Sequence, residues 1–246
     1  MRALFTVFSK LIKTLRNYGL DETILKILER LRLISVLHTF DFVYKELDDS
    51  KDFVPSKVES VYETKGIQLE CREINVMELE QLNYAEGMYS IEILRAHFGR
   101  GLRFFAAFYE NVVAAVMGVH KHYAHLSYVN RPLVHLPSGI VYMNCALTAP
   151  AYRNLGIGSI LRTYVLNQVH KEGYQVVIGT IFVYNRSALR WNLRNGFKRW
   201  GRVSYIKWRG RDFWWTRLTK VGRRHPHLLD HVVTETPMKE PVVEAV

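Results

Sequence analysis

Residues Leu147 to Ser159 read Leu-Thr-Ala-Pro-Ala-Tyr-Arg-Asn-Leu-Gly-Ile-Gly-Ser, and the patterns on either side of them define the rest of the domain. A strand-like run over 140–148 leads into this stretch, and an amphipathic helical pattern over 158–172 follows it. Glycines at such a strand-to-helix turn let the backbone approach a ligand closely. The helix N-terminus then offers free N–H groups and a positive dipole end to a phosphate. The stretch therefore predicts a phosphate-binding loop.

The flanking segments alternate between strand and helix patterns. Before the loop, we expect strands over 67–74, 102–109 and 112–119, with short helices over 76–82 and 90–98. After it, we expect a strand over 176–182, a helix over 187–194, and a hairpin of strands 198–207 and 213–218. This order predicts a mixed α/β fold whose first half is largely antiparallel.

A second motif lies downstream of the loop, where Asn185-x-x-Ala188 is followed by Gly196-Phe197. With Arg153-x-x-Gly156-x-Gly158 before it, the sequence resembles the GNAT N-acetyltransferase superfamily from about residue 66 to residue 218. The resemblance implies a GNAT-like central mixed sheet flanked by helices, and direct transfer of an acyl group from acetyl-CoA, or another acyl-CoA, to an amine acceptor. A dinucleotide-binding fold fits less well, because the third glycine and the series of parallel βαβ units are missing.

The resemblance also implies which residues bind the acyl-CoA. The backbone of Leu147 and Thr148 would hydrogen-bond the pantetheine arm, and Arg153 would add a cation beside the loop. The amides of the loop would hold the pyrophosphate; they belong to Asn154, Leu155, Gly156, Ile157, Gly158 and Ser159. Asn185 would contact the cofactor near its pantetheine end, and it would also serve as a helix N-cap.

The sequence departs from the family at the catalytic positions. The family's general-acid tyrosine falls seven residues after the signature asparagine, and Asn192 occupies that position. The strand over 140–147 also lacks the glutamate that many members use as a base. We therefore take Asn192 as a hydrogen-bond donor to the leaving sulfur, and His120, His122 and Tyr123 as candidates for proton transfer.

The two histidines would share a face if their strand continued. For each histidine taken singly, an ordinary surface or partly buried side chain is the alternative, and no metal site is predicted. Because Asn192 replaces the tyrosine, a non-catalytic acyl-CoA-binding module on the same fold stays open as the second function.

The charge of the chain is concentrated in one segment. Residues 186–224 hold thirteen Lys and Arg residues against Asp212 alone, while the whole chain has a net charge of +11. This imbalance predicts an anionic partner, and coenzyme A qualifies. Nucleic acid is disfavoured, because the tryptophans in this segment fit packed strand positions better than stacking platforms.

The pattern predicts three regions: a helical N-terminal extension over 1–64, the catalytic domain over 65–221, and a flexible tail over 222–246. The basic amphipathic helices of the extension suit peripheral membrane contact, a homodimer interface, or a cap on the acceptor site. The polar break after Asp48 predicts that a chain starting near Ser56 still binds acetyl-CoA. Residues 39–47 alternate like a strand.

Two cysteines, Cys71 and Cys145, lie in apolar runs and are expected to be small core residues. A reducing compartment suits them. The first residues fit a secretory signal poorly, because charges interrupt the apolar pattern. We therefore expect a cytoplasmic protein.

Overall fold

The computed structural model describes residues 36–47, 61–64, 66–81, 98–99, 101–126, 131–208 and 211–224. The helices expected in the first 35 residues, most of the helix expected over 90–98, and residues 225–246 of the expected tail lie outside these ranges. The chain divides into two compact units, which are described one at a time.

Strands dominate both units and confirm the mixed α/β class. They are β1 (Val36–Glu46), β2 (Val61–Thr64), β3 (Ile67–Ile74), β4 (Leu102–Tyr109), β5 (Val112–His120), β6 (Tyr123–Leu126), β7 (Arg131–His135), β8 (Ile140–Thr148), β9 (Val176–Phe182), β10 (Lys198–Trp208) and β11 (Arg211–Leu218). The helices are α1 (Val76–Gln81), α2 (Ile157–Lys171), α3 (Arg186–Arg194) and α4 (Lys220–Arg224), with a 3-10 turn at Pro150–Tyr152.

The larger unit is built on the strand order β2-β3-β4-β5-β8-β9. Neighbouring strands are antiparallel except β8 and β9, which run parallel because α2 connects them. The β4–β5 hairpin turns at Glu110 and Asn111, whose φ angles of 48° and 64° match the twist of a tight hairpin. The two strands of this hairpin and the helix after the loop were predicted from the sequence.

The sheet of the larger unit packs an apolar core on each face. On one face, Ile74, Leu102, Phe104 and Val116 form a buried cluster. Helix α2 packs against β4, β5 and β8. Four of its buried apolar residues recur at four-residue spacing, namely Ile157, Leu161, Val165 and Val169. This packing fixes the position of the first turn of α2, where the predicted loop ends.

Cys71 is buried in strand β3, as expected for a small core residue. Burial, and after it the charge of Glu70, raises the pKa of its thiol to about 12. The thiol therefore stays protonated at neutral pH and is chemically inert. The side chain of Cys145 lies outside the described part of the chain.

The smaller unit contains the strand order β11-β10-β1, together with α3 and α4. Strand β1 is antiparallel to β10, in a register from Val36↔Lys207 to Tyr44↔Lys198. Beneath this pairing, the buried carboxylate of Asp41 accepts a hydrogen bond from Arg202 Nε at 3.0 Å. Its other oxygen lies 3.3 Å from Arg199 Nη2. Strands β1 and β10 are therefore joined by backbone and side chains alike.

Strand β1 lies within the segment that was predicted to be a helical N-terminal extension. The strand pattern over 39–47 is confirmed, and the prediction of a helical extension over 1–64 is wrong for 36–46 and 61–64, which are strands. Without β1, the backbone groups of β10 that pair with it would be exposed, so the structure gives no support to a separable segment before Ser56. The boundary between Asp48 and Lys65 stays a prediction.

The predicted flexible tail also begins too early, because α4 extends over Lys220–Arg224. Thr219 caps this helix, and its hydroxyl accepts a hydrogen bond from Gly222 N at 3.1 Å. In the described ranges, no helix combines the length and the apolar composition that crossing a membrane requires.

Candidate functional site

Strand β8 contains a β-bulge near its end. Val116 pairs with Leu147 and Gly118 pairs with Asn144, so three steps along β8 oppose two steps along β5. The extra residue lies just before Leu147 and Thr148. Bulges of this kind bend a strand and are over-represented next to binding sites. A Cβ at Gly118, next to the bulge, would lie 2.6 Å from Asn144 Oδ1, so the Asn144 side chain would have to shift.

The end of β8 is paired on one side. Its parallel pairing with β9 runs from Ile140↔Val176 to Met143↔Gly179, whereas its pairing with β5 continues to Ala115↔Thr148. In the described registers, no strand pairs with the second edge of β8 at Leu147 and Thr148, and Thr148 O already accepts a hydrogen bond from Arg153 Nε. An extended amide-bearing ligand can hydrogen-bond to such an edge as an added strand.

Contacts within the loop after β8 hold its shape. The 3-10 turn at Pro150–Tyr152 follows the strand, and Arg153 Nε donates a hydrogen bond to Thr148 O at 3.1 Å. Two loop residues have positive φ, Asn154 at 64° and Gly156 at 85°. Backbone N–H groups beside residues in this left-handed conformation can converge and bind an anion.

The loop ends at the N-terminus of α2, with Gly156 as the N-cap and no side chain capping it. The first N–H groups to bond back are those of Ser159 and Ile160, which donate to Gly156 O at 2.9 and 3.2 Å. The N–H groups of Ile157 and Gly158 precede them and have no intrahelical acceptor. The first turn of α2 contains no acidic residue, so nothing in it repels an anion.

Thr64 of strand β2 contacts this loop, and it was not among the site residues predicted from the sequence. Its hydroxyl donates a hydrogen bond to Leu155 O at 3.0 Å across 91 residues of sequence. A Cβ placed on Gly156 would lie 3.0 Å from the same hydroxyl oxygen. Only the three-dimensional pairing of β2 with β3 brings Thr64 here, so no local sequence signal could have revealed it.

Asn185 caps helix α3 in the smaller unit. Its Oδ1 accepts hydrogen bonds from Ala188 N at 3.1 Å and from Ser187 Oγ at 3.0 Å. The N-cap role considered for this residue is therefore confirmed. The side chain is exposed, and its role toward a cofactor stays a prediction.

Asn192 lies on α3 two turns after Asn185 and is buried. Its Nδ2 donates a hydrogen bond to Ala188 O at 2.8 Å, so one of its two amide hydrogens serves the helix itself. Tyr184, just before Asn185, is 58% exposed and stacks on Phe182 with the ring centroids 5.1 Å apart. Partial desolvation raises the pKa of this tyrosine. Tyr184 was not among the site residues predicted from the sequence.

His120 and His122, the two histidines considered for proton transfer, differ in their exposure. Strand β5 ends at His120, whose ring is 1% exposed and lies 6.4 Å from the Tyr142 ring. The chain then bends, and His122 is exposed, with its ring 6.5 Å from that of the half-buried Tyr123. The condition under which the two histidines would share a strand face is not met, because the strand stops between them. Within the described ranges, no three His, Cys, Asp or Glu side chains are grouped to hold a metal ion.

The basic segment places an exposed arginine row on α3. Arg186, Arg190 and Arg194 follow each other at four-residue spacing, so they share one face of the helix, and all three are exposed. Asn185 and Asn192 lie on a different face of the same helix. The charge excess seen in the sequence is therefore at the surface here.

The sequence matches the model of one known protein family. The profile described as the acetyltransferase (GNAT) family matches residues 69–197, which is just over half of the chain. No curated protein matches this chain.

Solved structures resemble the fold at low sequence identity. A functionally unknown conserved protein from Staphylococcus epidermidis is 12% identical, with a TM-score of 0.50 over 77% of this chain and 68% of that one. A GNAT-family protein from Novosphingobium aromaticivorans is 18% identical, with a TM-score of 0.48 over 70% and 65% of the two chains. A GCN5-related N-acetyltransferase from Kribbella flavida is 14% identical, with a TM-score of 0.46 over 79% and 65%. The chain thus spans slightly less than two thirds of the Novosphingobium protein.

Proposed function

The chain belongs to the GNAT family of acetyltransferases, and we propose that it transfers an acetyl group, or another acyl group, from acyl-CoA to an amine acceptor. The observation that carries this proposal is the loop over 153–158, where an uncapped helix N-terminus with no acidic first turn follows two residues of positive φ. Such a loop suits a pyrophosphate.

Different residues in and before the loop would bind different parts of the acyl-CoA. The N–H groups of Gly156, Ile157 and Gly158 would donate to pyrophosphate oxygens, and Arg153 would add a positive charge at the exposed rim. The one-sided edge at Leu147 and Thr148 would hydrogen-bond the amides of the pantetheine arm. The acyl-CoA supplies an activated thioester, and the protein holds it in a fixed orientation.

Proton transfer is proposed to rest on few residues. The acceptor amine must be neutral to attack, and His122 is an exposed candidate for taking its proton, whereas the burial of His120 argues against direct contact with an acceptor. The second amide hydrogen of Asn192 is proposed to stabilise the leaving sulfur.

A non-catalytic acyl-CoA-binding module remains the second candidate. The observation in its favour is the hydrogen bond from Asn192 Nδ2 to Ala188 O, a purely structural use of the position where the family carries its acid. The acceptor class and the cytoplasmic location are proposals as well.

One experiment separates the two functions. The full chain is incubated with acetyl-CoA, or with longer acyl-CoAs, and a panel of small amines, amino sugars, peptide N-termini and lysine peptides. Free thiol release is followed against the rate without acceptor. Amine-dependent release supports the transferase, while tight acyl-CoA binding without release above hydrolysis leaves the binding module.

A further inference from the structure

The contact between Thr64 and the loop assigns a role to a strand that precedes the family match. We infer that Thr64 is a positioning residue, whose hydroxyl fixes the peptide between Leu155 and Gly156 so that the Gly156 N–H faces the anion. This inference rests on the proposed function, because it concerns how the same loop binds the pyrophosphate of an acyl-CoA.

The peptide unit between Leu155 and Gly156 has a fixed geometry. In a trans peptide, the C=O of one residue and the N–H of the next point in opposite directions. Thr64 Oγ1 donates to Leu155 O at 3.0 Å, so this carbonyl points toward β2. The Gly156 N–H must therefore point away from β2.

The loop sequence alone does not fix this peptide. Gly156 has φ +85°, and glycine tolerates both positive and negative φ. A rotation of the peptide by half a turn would exchange the N–H for the carbonyl oxygen, as happens between related turn types. The flipped loop would present a partial negative charge to a phosphate. A hydrogen bond that holds the carbonyl on the β2 side therefore selects the anion-binding form.

Strand β2, which carries Thr64, is itself held in place by contacts with β3 and α2. Thr64 pairs with Ile67 of β3, and the pairing continues to Val61↔Glu70. On the same strand, the Tyr62 ring packs edge-on against Tyr164 of α2, with the centroids 6.3 Å apart. Strand β2 thus contacts both the loop and the helix that carry the donor groups, and it lies before residue 69, where the family match begins.

The test compares Thr64→Val, which keeps the shape and removes the hydroxyl, with Thr64→Ser, which keeps the hydroxyl. The control is Thr163→Val on α2, where the hydroxyl donates to Ser159 O at 3.1 Å and is remote from the Leu155 carbonyl. Coenzyme A affinity is measured by calorimetry, and the Gly156 amide is followed by NMR during the titration. Acetyl-CoA KM and kcat are measured with any active amine.

We expect Thr64→Val to weaken coenzyme A binding roughly 3- to 10-fold, the loss expected for one hydrogen bond. The Gly156 amide resonance should shift in the free protein, KM should rise and kcat should be unchanged. Thr64→Ser should restore affinity, and Thr163→Val should match the wild type.

The outcomes separate this inference from the proposed function. If the wild type binds no coenzyme A, the proposed function fails. If the wild type binds but Thr64→Val has the same affinity and the same Gly156 resonance, the positioning role is overturned. Should Thr64→Val not fold, Thr64→Ala removes the same hydroxyl, and wild-type affinity in that variant overturns the role equally.

Discussion

Replacing Gly156 by alanine tests how the loop is held. At φ +85° an L-residue is strained by about 1–2 kcal/mol. The added Cβ would also lie 3.0 Å from Thr64 Oγ1, so the Thr64 side chain must yield. Losing its hydrogen bond to Leu155 costs roughly another 0.5–1.5 kcal/mol. The expected loss in free energy of unfolding is therefore about 1.5–3.5 kcal/mol.

The chain offers a matched control in Gly173, which follows α2. Its φ is +89°, and an added Cβ would meet nothing within 4 Å. Gly173→Ala should therefore cost the strain alone, about 1–2 kcal/mol. The difference between the two variants isolates the contact with Thr64.

The two variants are compared by urea unfolding and by calorimetry with coenzyme A. The Cβ added in Gly156→Ala points at Thr64, so it should displace the loop. We expect the affinity for coenzyme A to fall by about tenfold, which corresponds to about 1.4 kcal/mol of binding free energy. Gly173→Ala should keep the wild-type affinity. Equal affinities in the two folded variants would refute the view that the Gly156 backbone shapes the anion site.

Three further outcomes are expected. Asp41→Ala should lower the free energy of unfolding by about 2–4 kcal/mol in urea, because it leaves two partly exposed arginines without their buried carboxylate; a loss under about 1 kcal/mol would contradict this. Asn192→Ala should lower kcat by no more than about 100-fold. The control is Asn195→Ala, which removes a similar hydrogen bond to the helix backbone, at 2.7 Å, and should leave kcat unchanged. Equal effects of the two substitutions on kcat would show that Asn192 has only a structural role. Burial alone would raise the pKa of Glu172. The hydrogen bonds from Lys121 and Arg103 lower this pKa by more than burial raises it, so the folded pKa lies below the ordinary 4.5. Its stabilisation is present above that value and is lost as the pH falls through the folded pKa, and Glu172→Gln should flatten the acid limb of the stability curve.

Much of the larger unit was predictable, because its signals are local. The pattern around Arg153, Gly156 and Gly158 identified the loop, and the alternation over 67–74 and the hairpin at Glu110 and Asn111 identified the strands. These features depend on residues that are close in sequence, so periodicity and turn chemistry suffice.

The rest depended on contacts between distant residues. The pairing of β1 with β10 and the contact of Thr64 with Leu155 join segments more than 90 residues apart. The separation of His120 from His122 depended on where β5 ends, which strand propensity does not define. The bulge opposite Met117 likewise arises from the register of two strands.

Titration of the full chain with acetyl-CoA in a calorimeter tests the central claim most directly. We predict saturable binding at one site per chain, competition by coenzyme A, and weaker binding after Gly156→Ala but not after Gly173→Ala. The absence of saturable binding by acetyl-CoA and by longer acyl-CoAs would contradict the account, as would binding that both glycine variants leave unchanged.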